Sequence, residues 1–308
     1  VAPGEWLLDD QVMQDLDVFG KGSLWQLINQ ASTAQGQELL VQWLRNPASP
    51  DQIRERQDAV RWLAEHHDFC LDFYLQGKLL AGARADGVGF VKWAESPTWS
   101  SQHGAVHWIA RALAIAISLT LLGLSLQWLS SGWILLALVL FVGNVVWNMI
   151  WIGGIHDVFN QISSGRHDLD HLTELFRAVD KLPNEVPQLK RLRTKLNSGS
   201  TSFQEALRKL QRVLSLSNGR KSGLLGIPWL VAQLLWFWDF HILLGIENWQ
   251  RQFGPHVRHW FDAVAELEAL ASLATVAHDH PAWQFPQVDL GHETFSASGM
   301  GHILLPAE

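Results

Sequence analysis

The residues with the most evident chemistry are cations that cluster between positions 190 and 221. Nine Lys and Arg side chains lie here against a single acidic residue, Glu205. Such a charge run is typical of a surface that contacts phosphate groups, either of lipid headgroups or of a nucleic-acid backbone. A solvated helix face without a partner is the alternative. The candidate phosphate-contact residues are Lys190, Arg191, Arg193, Lys195, Arg208, Lys209, Arg212, Arg220 and Lys221.

The same region contains a Lys-Ser pair but no nucleotide-binding loop. Gly219-Arg220-Lys221-Ser222 lacks the earlier glycine that the pattern G-x-x-x-x-G-K-[ST] requires, so no loop of backbone amides can surround phosphates here. The sequence has no G-x-S-x-G and no H-E-x-x-H motif either. We therefore expect no catalytic residue and no cofactor in this chain.

Histidines are weaker candidates for chemistry. His167 and His171 lie four residues apart on a predicted helix, where both rings could face one metal ion. No third ligand is identifiable, and ordinary exposed histidines are the alternative, so we predict no metal site. His278 and His280 flank a predicted helix end, where a capping role is the better interpretation.

An acidic residue within an apolar run and a lone cysteine complete the set. Asp239 and His241 could form a buried pair or a proton-handling site, or Asp239 could find its partner at a helix end or in an Arg side chain.

Cys70 is the one cysteine among 308 residues, so no intramolecular disulfide can form. We interpret Cys70 as a small buried apolar side chain.

The elements that must position these residues are dominated by an apolar stretch, Ala112 to Ile155, that contains no Asp, Glu, Lys, Arg or His. An α-helix needs about 20 apolar residues to cross a bilayer core, and two such segments fit on either side of Ser130-Ser131-Gly132. Because lipid offers no partner to a free backbone amide, the two segments should form an antiparallel helical hairpin. A hairpin buried in a large helical core is the alternative.

Charge on the flanks predicts the orientation of this hairpin. Arg111 precedes the apolar stretch and Arg166 follows it, with further basic residues beyond each, while the turn between the two segments has none. By the positive-inside rule both flanks are cytoplasmic, so the sequence predicts a multi-pass membrane protein with lipid as a partner. A net charge of −7 argues against a protein whose whole surface binds nucleic acid, although a local patch still can.

Apolar residues on both sides of the hairpin recur at helical spacing and favour an all-α fold. Asn46-Pro47 should end one helix, and Ser49-Pro50-Asp51 should begin the next. Further along we expect amphipathic helices within 157–196 and over 203–216, a buried helix in the apolar run 224–246, a long helix over 258–278, and short strands only beyond 289.

Two blocks of the sequence, Leu16 to Leu63 and Phe261 to Ala277, carry a family pattern. They resemble the core and lever regions of the MutS family of DNA mismatch-repair ATPases. The second block, Phe261 to Ala277 (FDAVAELEALASLATVA), is similar to the long lever helix that leads into the ATPase domain of that family. GHILLPAE, Gly301 to Glu308, looks like the entry strand of the ATPase domain, with Ile303 where a proline is usual. The first block, Leu16 to Leu63, is similar to the opening of the helical core domain, with matching positions at Leu16, Asp17, Thr33, Gly36, Leu39, Leu40, Leu44, Arg45, Pro47, Arg56, Gln57, Ala59, Val60 and Leu63.

The sequence also departs from that family. Soluble members carry a β-rich clamp that closes on DNA where this chain has the hydrophobic hairpin, and a mismatch-reading domain would lie ahead of Val1. The resemblance therefore implies the core and lever of a membrane-anchored MutS-like branch, non-enzymatic by itself. It also implies ATP and Mg for an ATPase domain beyond this chain, a homodimer formed through that domain, and duplex DNA as a candidate partner.

We therefore expect a multi-helix core and lever bundle with an inserted two-helix transmembrane hairpin. The alternative is a membrane scaffold whose helices bind a partner without using nucleotide, and a transporter is a weaker fit because two clear spans are few for that role. The expected parts are a helical core in 1–104, the hairpin in 105–155, the rest of the core and lever in 156–280, and a linker with the start of the ATPase domain in 281–308.

Overall fold

The computed structural model describes residues 11–46, 48–82, 87–163, 166–197, 202–216, 231–233, 235–288, 296–301 and 303–304. The described residues are mostly helical and none of them is in a strand, including those beyond 289, where the sequence predicts short strands. The fold is all-α, as expected. The helices are α1 (Gln11–Asp15), α2 (Leu24–Ile28), α3 (Ala34–Arg45), α4 (Pro50–Glu65), α5 (His67–Gly82), α6 (Gly87–Glu95), α7 (Trp99–Gln102), α8 (Gly104–Ser125), α9 (Trp133–Ser163), α10 (Arg166–Asp180), α11 (Pro187–Leu196), α12 (Phe203–Leu216) and α13 (Trp238–Asp279).

Local side-chain chemistry determines where α3 and α4 begin and end. Thr33 caps α3, because its hydroxyl oxygen accepts a hydrogen bond from the backbone N–H of Gly36 at 3.0 Å. The helix ends before Asn46, as predicted. α4 starts behind Ser49, whose side chain and that of Gln52 each accept a hydrogen bond from the other residue's backbone N–H. The helix end predicted at Asn46 and the helix start predicted at Ser49 are therefore confirmed.

The last helix is much longer than its amphipathic pattern predicts. α13 has 42 residues and continues through Pro255, so the predicted helix 258–278 and the end of the apolar run are one element. Proline normally interrupts a helix because it removes a backbone donor and crowds the preceding turn. Pro255 itself is exposed, but Phe253 and Val257 on either side of it are buried. Burial of this apolar face outweighs the local penalty of the proline.

The chain divides into two compact units, each built from separate segments. Unit 1 comprises Val1–Ala85, His167–Ser200 and Arg258–Glu308, and unit 2 comprises Asp86–Arg166 and Thr201–Val257. The first part of α13 therefore belongs to unit 2 and the second part to unit 1. The four-part division drawn from the sequence stays a prediction.

Unit 1 has its core around the second part of α13. Trp260 and Phe261 meet Phe176 of α10 edge to face, with ring centroids 6.1 and 5.5 Å apart. α11 packs against α4, and Leu189 of α11 and Leu63 of α4 are fully buried. These contacts join the first and middle segments of the sequence to its last helix.

Unit 2 contains the predicted hairpin, in which α8 and α9 pack against each other. Among the described residues, two helical segments are long and apolar enough to cross a membrane: Gly104–Ser125, with a mean hydropathy of 1.8, and Trp133–Trp151, with 2.1. Only 29% and 11% of their most apolar stretches are buried within the protein. The hairpin is thus present, and most of its apolar surface is uncovered.

The first part of α13 attaches to the rest of unit 2 through indole and amide groups. Trp249 stacks on Trp93 of α6, with ring centroids 5.8 Å apart, and donates its Nε1–H to the Ala206 carbonyl at 2.6 Å. Gln250 Nε2 donates to the carbonyls of Trp93 and Ser96 at 2.7 and 2.6 Å. These bonds satisfy buried polar groups, so the helix can lie directly against its neighbours.

Leu63→Ala should lower the free energy of unfolding by about 2–5 kcal/mol, because it leaves a cavity at a fully buried position of unit 1. Leu71→Ala removes the same atoms from a side chain of α5 that is 52% exposed, so its effect should stay within roughly 0.5 kcal/mol. Hydrogen exchange of the α4 amides in the purified full chain, followed as a function of urea, measures both effects. Equal losses in the two variants would contradict the burial assigned to Leu63.

Candidate functional site

The predicted phosphate-contact residues are divided between the two units. Lys190, Arg191, Arg193 and Lys195 lie on α11 in unit 1, and Arg208, Lys209 and Arg212 lie on α12 in unit 2. Arg220 and Lys221 lie outside the described residues. The run of cations in the sequence therefore corresponds to at least two separate helix faces.

Three of the four α11 cations form ion pairs with carboxylates of other elements in unit 1. Exposed pairs of this kind contribute only about 0–1 kcal/mol each to stability. The paired carboxylates lower the positive potential that a phosphate would meet at the exposed face of α11. Lys190, the fourth cation, is exposed on this helix. The pairs are Arg191 with Glu55, Arg193 Nε with Asp180 Oδ1 at 3.6 Å, and Lys195 Nζ with Glu266 Oε2 at 2.6 Å.

The α12 cations lie on the outer side of an amphipathic helix. Lys209 Nζ is 3.2 Å from Glu205 Oε1 and 5.4 Å from the centre of the Phe253 ring. Arg208 donates to the Gln204 side-chain carbonyl at 3.2 Å, and Arg212 is exposed. Because the opposite face of α12 is buried, these side chains can reach a partner only on the outer side.

The histidine candidates do not assemble a metal site among the described residues, which contain no group of three or more His, Cys, Asp or Glu suited to a metal ion. His171 Nδ1 lies 3.2 Å from Gln76 Oε1 of α5, and the side chain of His167 lies outside the described residues. His278 Nδ1 lies 3.2 Å from the Ala64 carbonyl, in the last turn of α4. His278 is thus placed to cap α4, a different helix from its own.

Asp239 and His241 lie in different environments. Asp239 is fully buried in the first turn of α13, where the positive end of the helix dipole favours a carboxylate, and its backbone N–H donates to Gln233 Oε1 at 3.0 Å. His241 is exposed. The placement of Asp239 agrees with the helix-end interpretation.

Cys70 is a buried thiol, as interpreted from the sequence. Burial raises its pKa to about 11, so the thiol stays protonated at neutral pH and is a poor nucleophile. Its S–H donates to the Leu63 carbonyl at 3.5 Å. Cys70 therefore has a packing role.

An extensive polar arrangement in unit 1 surrounds Glu268 of α13, a residue that no sequence motif indicated. Glu268 is 5% exposed. Its carboxylate accepts hydrogen bonds from the backbone N–H groups of Ser32 and Thr33, at 3.0 and 3.1 Å, and from the Thr33 hydroxyl. These donors lie at the N-terminus of α3, where the helix dipole favours a negative charge. The signal in the sequence was an acidic residue on the apolar side of a predicted helix.

Two glycines make this close approach sterically feasible. A Cβ atom at Gly36 would collide with the Glu268 carboxylate, and a Cβ atom at Gly77 would lie 2.9 Å from the Ser32 side chain. Gly36, one of the matching positions of the first sequence block, is thus a point of close approach. The group that approaches is the carboxylate of α13.

Burial is the dominant influence on the ionisation of Glu268. It raises the pKa of this carboxyl above its ordinary value, while the hydrogen bonds from Thr33 and Ser32 and the charge of Lys78 act in the opposite direction. The carboxylate also lines a cavity of about 320 Å³ between α5 and α13, together with Cys70 and Tyr74. Its oxygens are engaged by the α3 donors, so the arrangement is a helix-to-helix attachment without a nucleophile.

Unit 2 uses the same device at a second position of α13. Glu247 is 1% exposed and accepts a hydrogen bond from the Ser100 backbone N–H at 2.7 Å and another from the Ser100 hydroxyl, in the first turn of α7. Arg251, one turn further along α13, lies 3.5 Å from the same carboxylate. In each unit, a buried glutamate of α13 thus binds the N-terminus of another helix.

Comparison with known proteins gives a partial match at the beginning of the chain. Residues 10–78 match the family model of MutS domain III. That range contains the Thr33 cap, Gly36 and the Ser32 amide that Glu268 contacts. The resemblance found in the first sequence block is therefore confirmed.

A DNA mismatch repair protein MutS from Exiguobacterium sp. is 41% identical over 80 residues, which are 23% of this chain and 9% of that protein. No solved structure matches the chain. The second block, Phe261 to Ala277, lies outside the matched range, and its likeness to a lever helix stays a prediction. This chain thus contains a segment, residues 10–78, that is similar to domain III of MutS proteins.

Proposed function

We propose that the chain is the core and lever region of a membrane-tethered MutS-like protein that acts in DNA mismatch repair or a related DNA transaction. The single observation that carries the proposal is the contact of Glu268 with Ser32 and Thr33. It joins the segment similar to MutS domain III to the helix that resembles the family's lever. In unit 1 the two elements are held together by a buried carboxyl group and its hydrogen-bond donors, which would be costly to leave without partners.

The proposed lever is α13. A continuous helix of 42 residues is about 63 Å long at 1.5 Å per residue, so a displacement at its C-terminal end can be carried along its axis. In the proposed cycle an ATPase domain, supplied by a longer form of the protein, binds ATP and Mg and dimerises. Nucleotide-dependent movement of that domain would reach α3 through Glu268.

The proposed tether is the α8–α9 hairpin. A helix that is apolar on all sides is either buried in protein or inserted in a membrane, and only 11% of the most apolar stretch of α9 is buried. Leu135, Val139 and Met149 are among the large side chains that remain exposed. Lipid is the partner that removes this surface from water, with both flanks of the hairpin on the cytoplasmic side.

A membrane scaffold that binds a protein partner without DNA or nucleotide is the second candidate. The ion pairs of Arg191, Arg193 and Lys195 favour it, because cations that are already paired have less to gain from a phosphate backbone. Under the first proposal, duplex DNA contacts Lys190 and the outer side of α12. Salt-dependent binding separates the two candidates.

The full chain should remain with membranes after an alkaline wash. Replacing Leu138 and Val142 of α9 with Arg should release it, because each charge at the centre of a span opposes insertion by about 2.5–3.5 kcal/mol. Replacing Leu71 and Leu75 of α5, which are equally exposed, with Arg is the matched control and should leave the protein in the membrane fraction. Release of the unmodified chain by the wash would overturn the tether.

Binding of duplex DNA to the full chain should weaken steeply with salt. Lys190→Gln and Arg212→Gln should each reduce the slope of log K against log salt by about one, because one phosphate contact is lost per substitution. Lys92→Gln, on α6, is the control for loss of one exposed charge and should leave the slope unchanged. Fluorescence anisotropy with a labelled duplex measures the slopes, and absence of binding at low salt would favour the scaffold.

Glu268→Gln should remove part of the pH dependence of stability. Since the folded state raises the pKa of this carboxyl, the stability linked to it is fully present below the ordinary value of about 4.3 and is lost as the pH rises through the folded value. The amide does not titrate, so the Tm of the variant should fall less than that of the wild type as the pH increases above about 4.3. Glu38→Gln, on the exposed side of α3, controls for the loss of one carboxylate. Identical profiles for the wild type and Glu268→Gln would contradict the assignment.

A further inference from the structure

A groove of about 400 Å³ runs between α8 and the beginning of α13 in unit 2. This volume lies in the ~300–1,000 Å³ range of sites for small molecules. Ala114, Ile115 and Leu119 of α8 form one wall, and Phe237 and Leu244 contribute to the other. The groove is therefore apolar along most of its length.

One end of the groove carries positive charge. Arg111 lies at this end, exposed, with its guanidinium carbon 5.6 Å from the centre of the Trp108 ring. The exposed ring of His241 lines the groove as well. No Asp or Glu is among the described residues that line it. The groove thus combines an apolar channel with a cationic end that no lining carboxylate neutralises.

The position of Arg111 relates this groove to the bilayer of the proposed tether. Arg111 is the last charged residue before the apolar stretch of the hairpin, so it lies where the headgroup region meets the hydrocarbon. Ser118, seven residues further along α8, lies about 10 Å deeper at 1.5 Å per residue. Trp236 Nε1 donates to its hydroxyl at 3.0 Å, so the two walls of the groove are joined at this level by a hydrogen bond.

The exposure of the walls indicates what can occupy the groove. Ile115 and Leu119 are 60% and 62% exposed, on a helix that we place in lipid. A ligand that enters from the side therefore comes from the bilayer and carries a hydrocarbon chain. At the cationic end a guanidinium can bind a phosphate through two parallel N–H···O bonds. An anionic phospholipid has both a hydrocarbon chain and a phosphate. In a leaflet the phosphate lies at the level of the headgroups and the chain extends into the hydrocarbon, as Arg111 and the apolar walls of the groove require.

We propose that this groove binds one anionic phospholipid, with an acyl chain along Ile115, Leu119 and Leu244 and its phosphate on Arg111. The inference rests on the proposed membrane location of α8 and adds a specific lipid site to it. Basic pockets beside membrane helices on the cytoplasmic side are suited to such headgroups. A bound lipid would also cover the gap between α8 and α13 and so stabilise the start of the long helix.

The test uses the purified full chain in detergent, with phosphatidylglycerol or phosphatidylcholine added and the lipid that remains bound counted by native mass spectrometry. The wild type should retain one phosphatidylglycerol in preference to phosphatidylcholine. Arg111→Gln should bind phosphatidylglycerol about tenfold more weakly, the factor expected when one charge-assisted hydrogen-bonded contact is lost. Lys92→Gln, in the same unit but outside the groove, is the matched control and should retain the lipid as the wild type does.

A second variant tests the apolar part of the groove. Ala114→Phe places a ring in the channel while leaving Arg111 in place, so it should abolish retention of phosphatidylglycerol. Equal retention of both lipids by the wild type, or full retention by Arg111→Gln and Ala114→Phe, would overturn the proposal. Release of the chain from membranes by the alkaline wash would instead overturn the tether, whereas stable membrane association without lipid preference would overturn the groove alone.

Discussion

The attachment of Glu268 to the N-terminus of α3 is the interaction on which the arrangement of unit 1 depends. A carboxylate cannot be buried without partners, because the loss of its hydration would cost several kcal/mol. Three donors from Ser32 and Thr33 replace that hydration, and Gly36 leaves the space that the carboxylate needs. The register between α3 and α13 is therefore determined by hydrogen bonds as well as by apolar packing. A shift of α13 by one residue would leave both the carboxylate and the amides without partners.

This attachment also connects a segment of only 69 positions (10–78) to α13, which lies far away in the sequence. The segment similar to MutS domain III supplies the donors, and α13 supplies the acceptor. In unit 2 the same helix repeats the arrangement with Glu247 and Ser100. One long helix thus uses buried carboxylates in both units to bind the ends of shorter helices. That design gives a directional link that an apolar contact alone would not provide, because hydrogen bonds have defined geometry.

The hairpin in unit 2 differs from unit 1 in that most of its apolar side chains are not covered by the protein. Its helices satisfy their backbone hydrogen bonds internally and leave large apolar side chains uncovered, which is favourable in lipid and unfavourable in water. One buried polar pair is satisfied within unit 2: Asn148 Nδ2 donates to the Gln233 backbone carbonyl, and Gln233 Nε2 donates to Asn148 Oδ1, each at 3.2 Å. The groove beside α8 has both kinds of surface, because its walls are apolar along most of their length and Arg111 lies at one end. Helix-to-helix attachment and the proposed membrane anchoring thus involve separate parts of the chain.

The sequence by itself determined the helical class, the hairpin and the ends of α3 and α4, because these depend on short-range chemistry: the spacing of apolar residues, the Thr33 and Ser49 caps, and the absence of charge over 112–155. Tertiary structure alone decided the continuity of α13 through Pro255. The helix-breaking penalty of the proline is outweighed by burial of the apolar residues beside it, and the sequence does not show which distant residues bury them. It also decided the division of the basic run between α11 and α12 and the pairing of Arg191 with Glu55. The role of Glu268 could not be read from the sequence either, because its donors lie more than two hundred residues away and only folding brings a carboxylate and an unpaired helix end together.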